Sequence, residues 1–388
     1  MAMTAPLPAL LRLCRERKQK GGRLALTNHN YRVLVIDSLE GLAQIAGPWS
    51  DLLSKSRANT IFLTWEWIYT WAETFLGPER RLFVLAVYKD KELVGIAPWC
   101  IRNKSKWGMS LKCLEFLGTP EMGSDYLDVF AKEGKEKDVA RHVSSFLFHE
   151  AAACWDSITL HDIPADSRFL LHYLYQVDED GKHVELKPAS FCPAATLPLT
   201  RSEFFANLSS NRRQQYVRHA RLLAKKGKVT HQIFRRLAAA QSLKSFNTLY
   251  QERWKSSEKE LSFIQKLVSR CSEKDWIQID LLEVDGREIA ALLHLRYQQT
   301  LSMLLMGVDH SFDKRISIGN ILVGLSIEQA IDDGFTTYDF LKGVEDYKFH
   351  WANSGRRSLR LHCYAKKAAP LVWMTGQFME SLAKVLTR

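Results

Sequence analysis

The chain has 388 residues, a formal net charge of +11 and 46% hydrophobic residues, a composition typical of a globular protein with more than one core. No apolar run approaches the roughly 18 residues of a membrane-spanning helix, so we expect no transmembrane segment. The seven cysteines are scattered and never spaced C-x-x-C, which argues against a disulfide framework or a structural zinc site. A cytoplasmic protein with reduced thiols and no bound metal is therefore predicted.

Positive charge is concentrated in two segments. Residues 1–24 form a basic leader with six Lys or Arg and one Glu, and its short apolar run precedes the charges, the reverse of a secretory signal. Between Arg201 and Arg236 there are ten Lys or Arg and one Glu. Because these segments carry more positive charge than the whole chain, the remainder is acidic. A partner that binds through charge should therefore bind locally.

The first half is predicted to contain helices, a pair of antiparallel strands, then a helix and a strand. Residues 38–75 carry helical patterns and include the aromatic-rich segment TWEWIYTW. Residues 82–101, LFVLAVYKDKELVGIAPWCI, consist of two apolar runs around a charged turn, which predicts a hairpin. A helix over 135–153 then leads into an apolar strand that starts near Trp155.

A strongly basic helix is predicted between the two halves. The segment LSSNRRQQYVRHARLLAKKG, residues 208–227, offers Ser209 or Ser210 as an N-cap and Gly227 as a stop. Its apolar positions form a narrow stripe: Tyr216, Ala220 and Leu223. The rest of the helix is a cationic rod.

The second half repeats the order of the first. Residues 240–270 give the helical start, and residues 276–297, WIQIDLLEVDGREIAALLHLRY, again predict strand, charged turn and strand. A helix over 317–333, with Ser317 as N-cap and Gly334 as its left-handed stop, leads into the strand of FTTYDFLKGVEDYK. The repetition predicts an α/β chain built from two diverged copies.

The charged turn from Lys342 to Asp346 follows this last strand. In α/β sheets, ligands collect just beyond the carboxyl ends of strands. Residues 342–348 are therefore a candidate rim of a binding site.

Two segments resemble signature motifs of the CelD-like acetyltransferases of the GNAT superfamily. In that family, Phe-Leu-Gly followed by Ser-Asp-Tyr marks the first half, and D-F-L-x-G-x-x-x-Y-K-x-x-W closes the second. The matching residues here are Phe116, Leu117, Gly118, Ser124, Asp125 and Tyr126, then Asp339, Phe340, Leu341, Gly343, Tyr347, Lys348 and Trp351. The chain is also similar to the Fem-type peptidoglycan aminoacyltransferases, which carry two GNAT-like domains.

The resemblance implies two tandem GNAT-like domains, each with a mixed sheet flanked by helices. The expected division is a basic leader at 1–24, a first GNAT-like domain at 25–200, a basic linker helix at 201–227, a second GNAT-like domain at 228–367 and a C-terminal helix at 368–388. The C-terminal helix is predicted to be amphipathic, with Pro370 near its start.

The resemblance also implies acetyl-CoA or another acyl-CoA as co-substrate, and no metal. The start of a helix attracts pyrophosphate, because its free N–H groups and its dipole favour negative charge. The segment DKRISIGN, residues 313–320, supplies such a start beside two cations, although the family's usual R/Q-x-x-G-x-G/A loop is not intact. The predicted cofactor-binding residues are Lys314, Arg315, Ser317 and Gly319. The alternative is that Ser317 only caps the helix and the cations are solvated.

Four residues are candidates for catalysis: Asp339, Tyr347, Lys348 and His294. The resemblance gives Tyr347 the role of proton donor to the departing thiolate, although its aromatic neighbours also suit a core position. Asp339 and Lys348 either act directly or form an ion pair that ties the strand to the turn. His294 lies within an apolar strand and is either a general base or a histidine of the core.

Acceptor binding is assigned to two groups of residues. The first is Asp125 and Tyr126, in a loop of the first half where Asp125 could equally stabilise a turn. The second is on the basic helix: Arg212, Arg213, Arg218 and Arg221. These arginines span several turns, so they cannot all bind one small ligand. An anionic substrate or membrane surface is favoured over tRNA, since aromatic interleaving is limited to Tyr216.

The predicted function is transfer of an acyl group, most simply acetyl, from acyl-CoA to an amine or hydroxyl of a polysaccharide or cell-envelope precursor. One alternative is a Fem-like transferase that uses aminoacyl-tRNA. The other is a non-catalytic binding module with a degenerate acyl site, in which only the basic helix functions.

Overall fold

The structure is a computed structural model that describes residues 25–365, except for 29, 107–108 and 254. The predicted basic leader and the predicted C-terminal helix lie outside the described residues. Within them, both helices and strands occur in each half, as expected for an α/β chain.

The first half contains five helices and ten strands among its described residues. The helices are α1 (Leu39–Gln44), α2 (Ala46–Ser54), α3 (Trp65–Phe75), α4 (Glu136–Phe148) and α5 (Arg168–Glu179). The strands are β1 (Ala25–Asn28), β2 (Tyr31–Ile36), β3 (Arg80–Leu82), β4 (Val84–Lys89), β5 (Glu92–Ala97), β6 (Trp99–Lys106), β7 (Met109–Phe116), β8 (Phe130–Ala131), β9 (Ser157–Pro164) and β10 (Glu185–Thr196). Side-chain caps fix two helix starts, because Thr64 accepts a hydrogen bond from the Trp67 amide and Ser167 one from the Leu170 amide.

The second half, as far as it is described, contains six helices and six strands. The helices are α6 (Arg201–Asn207), α7 (Ser210–Ala224), α8 (Leu237–Arg253), α9 (Glu258–Cys271), α10 (Ile318–Asp332) and α11 (Asp346–Phe349). The strands are β11 (Val229–Arg235), β12 (Ile277–Val284), β13 (Arg287–Tyr297), β14 (Thr300–Val308), β15 (Thr337–Asp339) and β16 (Ser354–Tyr364). The predicted basic helix is confirmed as α7, with Ser209 accepting from the Arg212 amide at its start.

The strands form two sheets. A five-stranded sheet has the order β1-β2-β4-β5-β8, and an eleven-stranded sheet has the order β11-β12-β13-β14-β15-β10-β16-β9-β7-β6-β3. In the large sheet, β10 of the first half pairs with β15, while β16 of the second half pairs with β9. This exchange of strands joins the two halves into one continuous sheet.

Strand pairing confirms the predicted duplication. The two predicted hairpins are present as the antiparallel pairs β4–β5 and β12–β13. In each half a helix then connects two parallel strands, β7 to β9 through α4 and β14 to β15 through α10. The two crossover helices pack on different sheets: α4 contacts β2, β4 and β5 of the five-stranded sheet, whereas α10 contacts β12, β13 and β14 of the large sheet.

The second half is layered, with α10 packed on the sheet and α7 packed on α10. The α10 residues Ile321, Leu322 and Ile327 are buried in a core that also contains Tyr216 of α7. Gly324 allows this close crossing, since a Cβ there would lie 2.3 Å from Cε2 of Tyr216. The helix α8 packs on the opposite face of the sheet, and α9 packs against α8 and against α3 of the first half.

Candidate active site

The sheet opens between β14 and β15. Their parallel pairing ends at Ser302–Asp339, although β14 continues to Val308. The register between β13 and β14 also shifts here, so that Leu304 opposes no residue. Beyond Ser302, no strand of the described chain pairs with this edge of β14. Its backbone polar groups can therefore bind an extended ligand that enters between the two strands.

A charge cluster precedes α10 at the top of this opening. The Arg315 guanidinium donates to both carboxylate oxygens of Asp313, and Lys226 Nζ lies 2.8 Å from Asp313 Oδ2. The hydrogen bonds from Arg315 and then from Lys226 hold the pKa of Asp313 well below its usual range. Lys314 is exposed, and the side chain of Arg315 is 81% exposed. Three cations and one carboxylate are therefore clustered before the start of α10.

The helix start itself is covered by α7. Ser317 occupies the N-cap position of α10, as predicted, but its side chain makes no capping hydrogen bond. Its backbone N–H instead donates to Nδ1 of His219 on α7, with a nitrogen–nitrogen distance of 3.3 Å. Gly319 lies against β14, because a Cβ there would be 3.2 Å from Sδ of Met306. Gly319 thus permits close packing of α10 on the sheet.

Asp339 links the two signature motifs across the halves. Its Oδ2 accepts a hydrogen bond from the Tyr126 hydroxyl at 2.8 Å, and its Oδ1 accepts one from the Leu341 amide at 2.8 Å. Burial raises the pKa of Asp339, against the opposing effects of these two hydrogen bonds and of the nearby Arg356 and Lys348. The structure therefore brings Asp339 and Tyr126 together at the boundary between the halves.

Asp125 makes a second link across the same boundary. It is completely buried, its Oδ2 accepts from the Lys342 amide at 2.9 Å, and its Oδ1 lies 3.5 Å from Lys342 Nζ. Burial raises the pKa of Asp125 to about 7, while the Lys342 ammonium opposes this shift. The same ammonium lies 3.2 Å from Oδ2 of Asp162. The Lys342 side chain is 33% exposed, so it connects this buried group to solvent.

Lys348 lies in α11 and its side chain contacts the charged turn rather than Asp339. Its Nζ donates to the Lys342 carbonyl at 2.7 Å and lies 3.0 Å from Glu345 Oε2. The side chain is only 5% exposed, and neither a hydrogen bond nor an ion pair joins it to Asp339. Tyr347 is half-buried and packs against the core beneath α10. Lys348 therefore closes the turn, and Tyr347 anchors it to the core.

His294 is completely buried beneath α10. Its Nε2 lies 2.9 Å from the Tyr338 hydroxyl, which also lies 2.8 Å from Ser326 Oγ, and its Nδ1 lies 3.9 Å from Asp280 Oδ1. Burial lowers the pKa of His294 to about 4, although Asp280 opposes this shift. The imidazole is therefore neutral at neutral pH and belongs to a buried polar network.

The arginines of α7 divide between two environments. Arg213 donates to the Phe205 carbonyl at 3.1 Å, and Arg212 is half-buried. Arg218 and Arg221 are exposed, and no acidic side chain of the described residues forms an ion pair with either of them. These two cations are therefore available to an anionic partner.

A surface cleft connects α7 to the start of α10 and to the residues after α11. It is lined by Leu208, Arg212, Gln215, Asn320, His350 and Trp351. Trp351 Nε1 donates to Asn320 Oδ1 at 2.6 Å, which ties the signature tryptophan to the first turn of α10. Among the four predicted arginines of α7, Arg212 is the one that lines this cleft.

Sequence reasoning predicted no partner for Lys342 and no role for Asp162 or His219. Lys342 lies in the charged turn that the sequence singles out, but no local pattern pairs it with Asp162, 180 residues earlier. His219 follows Arg218 on a helix whose cations dominate the pattern. Only the packing of α7 on α10 reveals that it contacts the Ser317 amide.

The second half matches a known domain family. Residues 210–349 match the sequence model of the acetyltransferase (GNAT) domain. The matched segment includes the basic helix, the start of α10 and the charged turn. A comparison with curated proteins returned no match.

Solved structures with a similar fold share little sequence with this chain. FemX is similar over 82% of this chain and 96% of its own, with a TM-score of 0.56 and 13% identity. A conserved protein of unknown function from Bacteroides thetaiotaomicron is similar over 85% and 100%, with a TM-score of 0.52 and 11% identity. The C-terminal domain of a putative lysylphosphatidylglycerol synthetase from Agrobacterium fabrum is similar over 87% and 96%, with a TM-score of 0.51 and 11% identity.

These structural similarities confirm the predicted fold class. At identities of 11–13% they show the fold and nothing more. The described chain consists of two GNAT-like halves with mixed sheets flanked by helices. No helix of the described residues is both long and apolar enough to cross a membrane. Residues 210–349 of the second half are similar in sequence to the acetyltransferase (GNAT) domain.

Proposed function

We propose that this protein is a CelD-like acyltransferase that moves an acyl group, most simply acetyl, from acyl-CoA to an amine or hydroxyl of a polysaccharide or cell-envelope precursor in the cytoplasm. One observation carries the proposal. The half that matches the acetyltransferase domain is also the half in which β14 and β15 separate beside a cationic helix start. The signature residues around Asp339 lie at the carboxyl end of that separation.

In this proposal, acyl-CoA binds the second half. Lys314 and Arg315 bind its phosphates, and the acyl end reaches the edge of β14 beyond Ser302. Because the Ser317 N–H already donates to His219, the His219 side chain must move away before a phosphate can accept from this N–H. The proposed domains, 25–200 and 228–367, then have distinct roles, with the thioester bound only by the second.

The reaction needs two proton transfers. The acceptor amine or hydroxyl attacks the thioester carbonyl, the C–S bond breaks, the acceptor loses a proton and the thiolate gains one. Tyr347 is the proposed proton donor to the thiolate, and Asp339, whose pKa burial raises, is the proposed base. Lys348 is the proposed stabiliser of the turn that connects Asp339 to Tyr347. His294 is enclosed beneath α10, so its proposed role is to fix β15 through Tyr338.

The proposed acceptor is anionic. The exposed Arg218 and Arg221, with the half-buried Arg212 in the cleft, provide cations along one helix. Nucleotide-activated or lipid-linked precursors carry phosphates that such cations bind. The name of the lysylphosphatidylglycerol synthetase, one of the similar folds, refers to a phospholipid, which supports an envelope-related acceptor.

The test is release of free thiol from acetyl-CoA by the full chain, with a nucleotide-linked amino sugar as acceptor. We expect acceptor-dependent thiol release and an acetylated sugar in the mass spectrum. Coenzyme A alone should also raise the melting temperature, because a ligand at 100 times its Kd adds about 2.7 kcal/mol to the free energy of unfolding. Thiol release and stabilisation both absent would contradict the proposal.

The same assays separate the alternatives. A Fem-like enzyme would give no stabilisation by coenzyme A but would bind tRNA with a steep salt dependence. A non-catalytic module would bind an anionic ligand through α7 without any thiol release.

A further inference from the structure

Left-handed backbone is concentrated where the two halves meet. Seven residues with positive φ come from the segments that form this boundary: Gly118 (97°), Met122 (60°), Gly123 (59°), Tyr126 (55°), Asp162 (59°), Leu341 (56°) and Gly343 (124°). Four of them are not glycine, so their conformation is held by the surrounding contacts. The boundary is therefore a place where the fold maintains strained backbone with tight packing.

Lys342 is the residue that joins these segments. Its ammonium lies 3.5 Å from Asp125 Oδ1 and 3.2 Å from Asp162 Oδ2, and it donates to the Ser124 carbonyl at 3.3 Å. Its stem crosses Gly123, where a Cβ would lie 3.1 Å from Lys342 Cε. One cation of the second half thus sits between two buried carboxylates of the first.

The backbone of Lys342 is fixed as firmly as its side chain. Its N–H donates to Asp125 Oδ2 at 2.9 Å, and its carbonyl accepts from Lys348 Nζ at 2.7 Å. Gly343 leaves room for this closure, since a Cβ there would lie 2.7 Å from Lys348 Nζ. A displacement of Lys342 would therefore displace Lys348 and the short helix α11.

We propose that Asp125, assisted by Asp162, is a positioning residue for acyl transfer. It acts through Lys342 to fix the turn 341–349, which carries Tyr347 and Lys348. The proposal rests on the proposed function, because it assigns that turn to the reaction. It also gives the first half a part in the chemistry of the second.

Ionisation of Asp125 should make this positioning depend on pH. The groups that face it are Lys342, Asp162, Asp339, Tyr126 and Cys192, and Arg356 lies beside Asp339. Burial raises the pKa of Asp125 to about 7, so the carboxyl takes up a proton as the pH falls below 7. Protonation removes the attraction between the Asp125 carboxylate and the Lys342 ammonium. The turn is then held less firmly, so kcat should fall as the pH is lowered.

Asp128 provides a matched control. It is 2% exposed, and burial raises its pKa to about 7 as well. Its hydrogen-bond partners are the Val129 amide and Ser167, both in the first half. Asp125→Asn and Asp128→Asn therefore remove equally buried carboxylates, but only the first contacts the turn.

The experiment compares these two variants with Lys342→Met and with the double variant Asp125→Asn/Lys342→Met. For each full-length protein we would measure kcat and KM for acetyl-CoA between pH 5.5 and 8.5. Hydrogen exchange of residues 336–351 would be measured in parallel. Lys342→Met keeps the experiment informative if Asp125→Asn does not fold. It removes the same contact between Asp125 and the Lys342 ammonium, but at the partly exposed residue.

We expect Asp125→Asn and Lys342→Met to lower kcat by about 10- to 100-fold with KM unchanged, as misplacement of a reacting group does. Exchange in 341–349 should accelerate, the fall of kcat below pH 7 should disappear, and the double variant should be no worse than either single one. Asp128→Asn should change none of these. An unchanged turn and kcat in both single variants, or equal losses in Asp128→Asn, would overturn the proposal. If the variants exchange faster but the wild type has no transferase activity, the proposed function and the positioning role of Asp125 are both refuted. Asp125 and Lys342 would then have only a structural role.

Discussion

The two helix crossovers of this chain have the same topology but differ in the charged residues at the helix start, where lysines and acids alternate over residues 135–138 of the first half. In the first half, the opening turn of α4 contains Glu136 and Asp138, and Asp138 Oδ2 accepts a hydrogen bond from the Tyr31 hydroxyl. In the second half, the opening turn of α10 contains no acid and follows Lys314 and Arg315. A helix start attracts anions only when its own side chains do not repel them. The two copies therefore share a frame, but only the second has the cationic helix start at which we propose that acyl-CoA binds.

The two halves also differ in the pKa of a buried carboxylate, which is raised in the first half and lowered in the second. Burial raises the pKa of Asp128 in the first half to about 7. Asp280 in the second half is also fully buried, but His294, His231 and Gln278 outweigh the effect of burial and hold its pKa below its ordinary value. The polar partners of a buried carboxyl group, and not burial alone, therefore decide whether it is ionised.

The largest expected effect is on the pH dependence of stability. With a pKa of about 7 when folded and about 3.9 when unfolded, Asp128 binds a proton between pH 4 and 7 only in the folded state. The wild type should therefore lose stability relative to Asp128→Asn as the pH rises through this window, by on the order of 3 kcal/mol. Urea unfolding of both proteins at several pH values would measure the difference. A constant difference would show that the carboxyl is already ionised at pH 4.

Asp280→Asn should show the opposite sign. The lowered pKa of Asp280 stabilises the folded wild type above the unfolded pKa, and this contribution is lost as the pH falls below about 4. The same unfolding series, extended to pH 3, tests it. Parallel pH profiles for the Asp128 and Asp280 variants would contradict the contrast between the two cores.

Two buried tyrosines provide the next contrast. The Tyr338 hydroxyl has His294 and Ser326 as partners, whereas the Tyr173 hydroxyl of α5 is buried without a hydrogen bond. Tyr338→Phe should cost about 1–3 kcal/mol because it leaves polar atoms unpaired, and Tyr173→Phe should be neutral or stabilising. Chemical denaturation at pH 7 measures both. Equal losses of unfolding free energy in the two variants would mean that the hydrogen bonds of Tyr338 do not contribute to stability.

Arg315→Ala compares the two helix starts directly. Loss of one charge-assisted contact to phosphate should weaken coenzyme A binding by about 10-fold, which is about 1.4 kcal/mol. Lys135→Ala, at the N-cap of α4, is the matched control and should leave the affinity unchanged. Titration calorimetry of the full chain measures both Kd values. If Lys135→Ala weakened binding instead, the first copy would hold the cofactor.

The smallest effect on stability is expected from the basic helix. Replacing the exposed Arg218 and Arg221 together by Gln should change the melting temperature little, because exposed charges contribute less than about 1 kcal/mol each. Binding to anionic vesicles or to a phosphate-bearing acceptor should fall, most clearly at low salt. A stability loss without any change in binding would assign these arginines to the fold.

Local patterns in the sequence predict the frame of this protein well. Capping serines, hairpin turns and apolar periodicity place α7, α10 and both hairpins, because each signal acts within a few residues. The exchange of β10 and β16 could not be predicted, since strand order in a sheet depends on pairing between residues far apart in sequence.

The candidate site was predictable only in part, for the same reason. The signature motifs identify Asp125 and Asp339, but the contact of Asp125 with Lys342 spans 217 residues. Likewise, nothing local indicates that His219 contacts the start of α10 or that Lys348 faces inward to the carbonyls of its own turn. Long-range packing decides which charged residues meet.

The central claim is that acyl-CoA binds the second copy. Hydrogen exchange of the full-length protein with and without acetyl-CoA tests it most directly, because peptides from both crossovers are read in one experiment. We predict protection in residues 300–320, around the edge of β14 and the start of α10, with no change in 109–140. Protection confined to 109–140, or no protection in either crossover at saturating acetyl-CoA, would contradict the account.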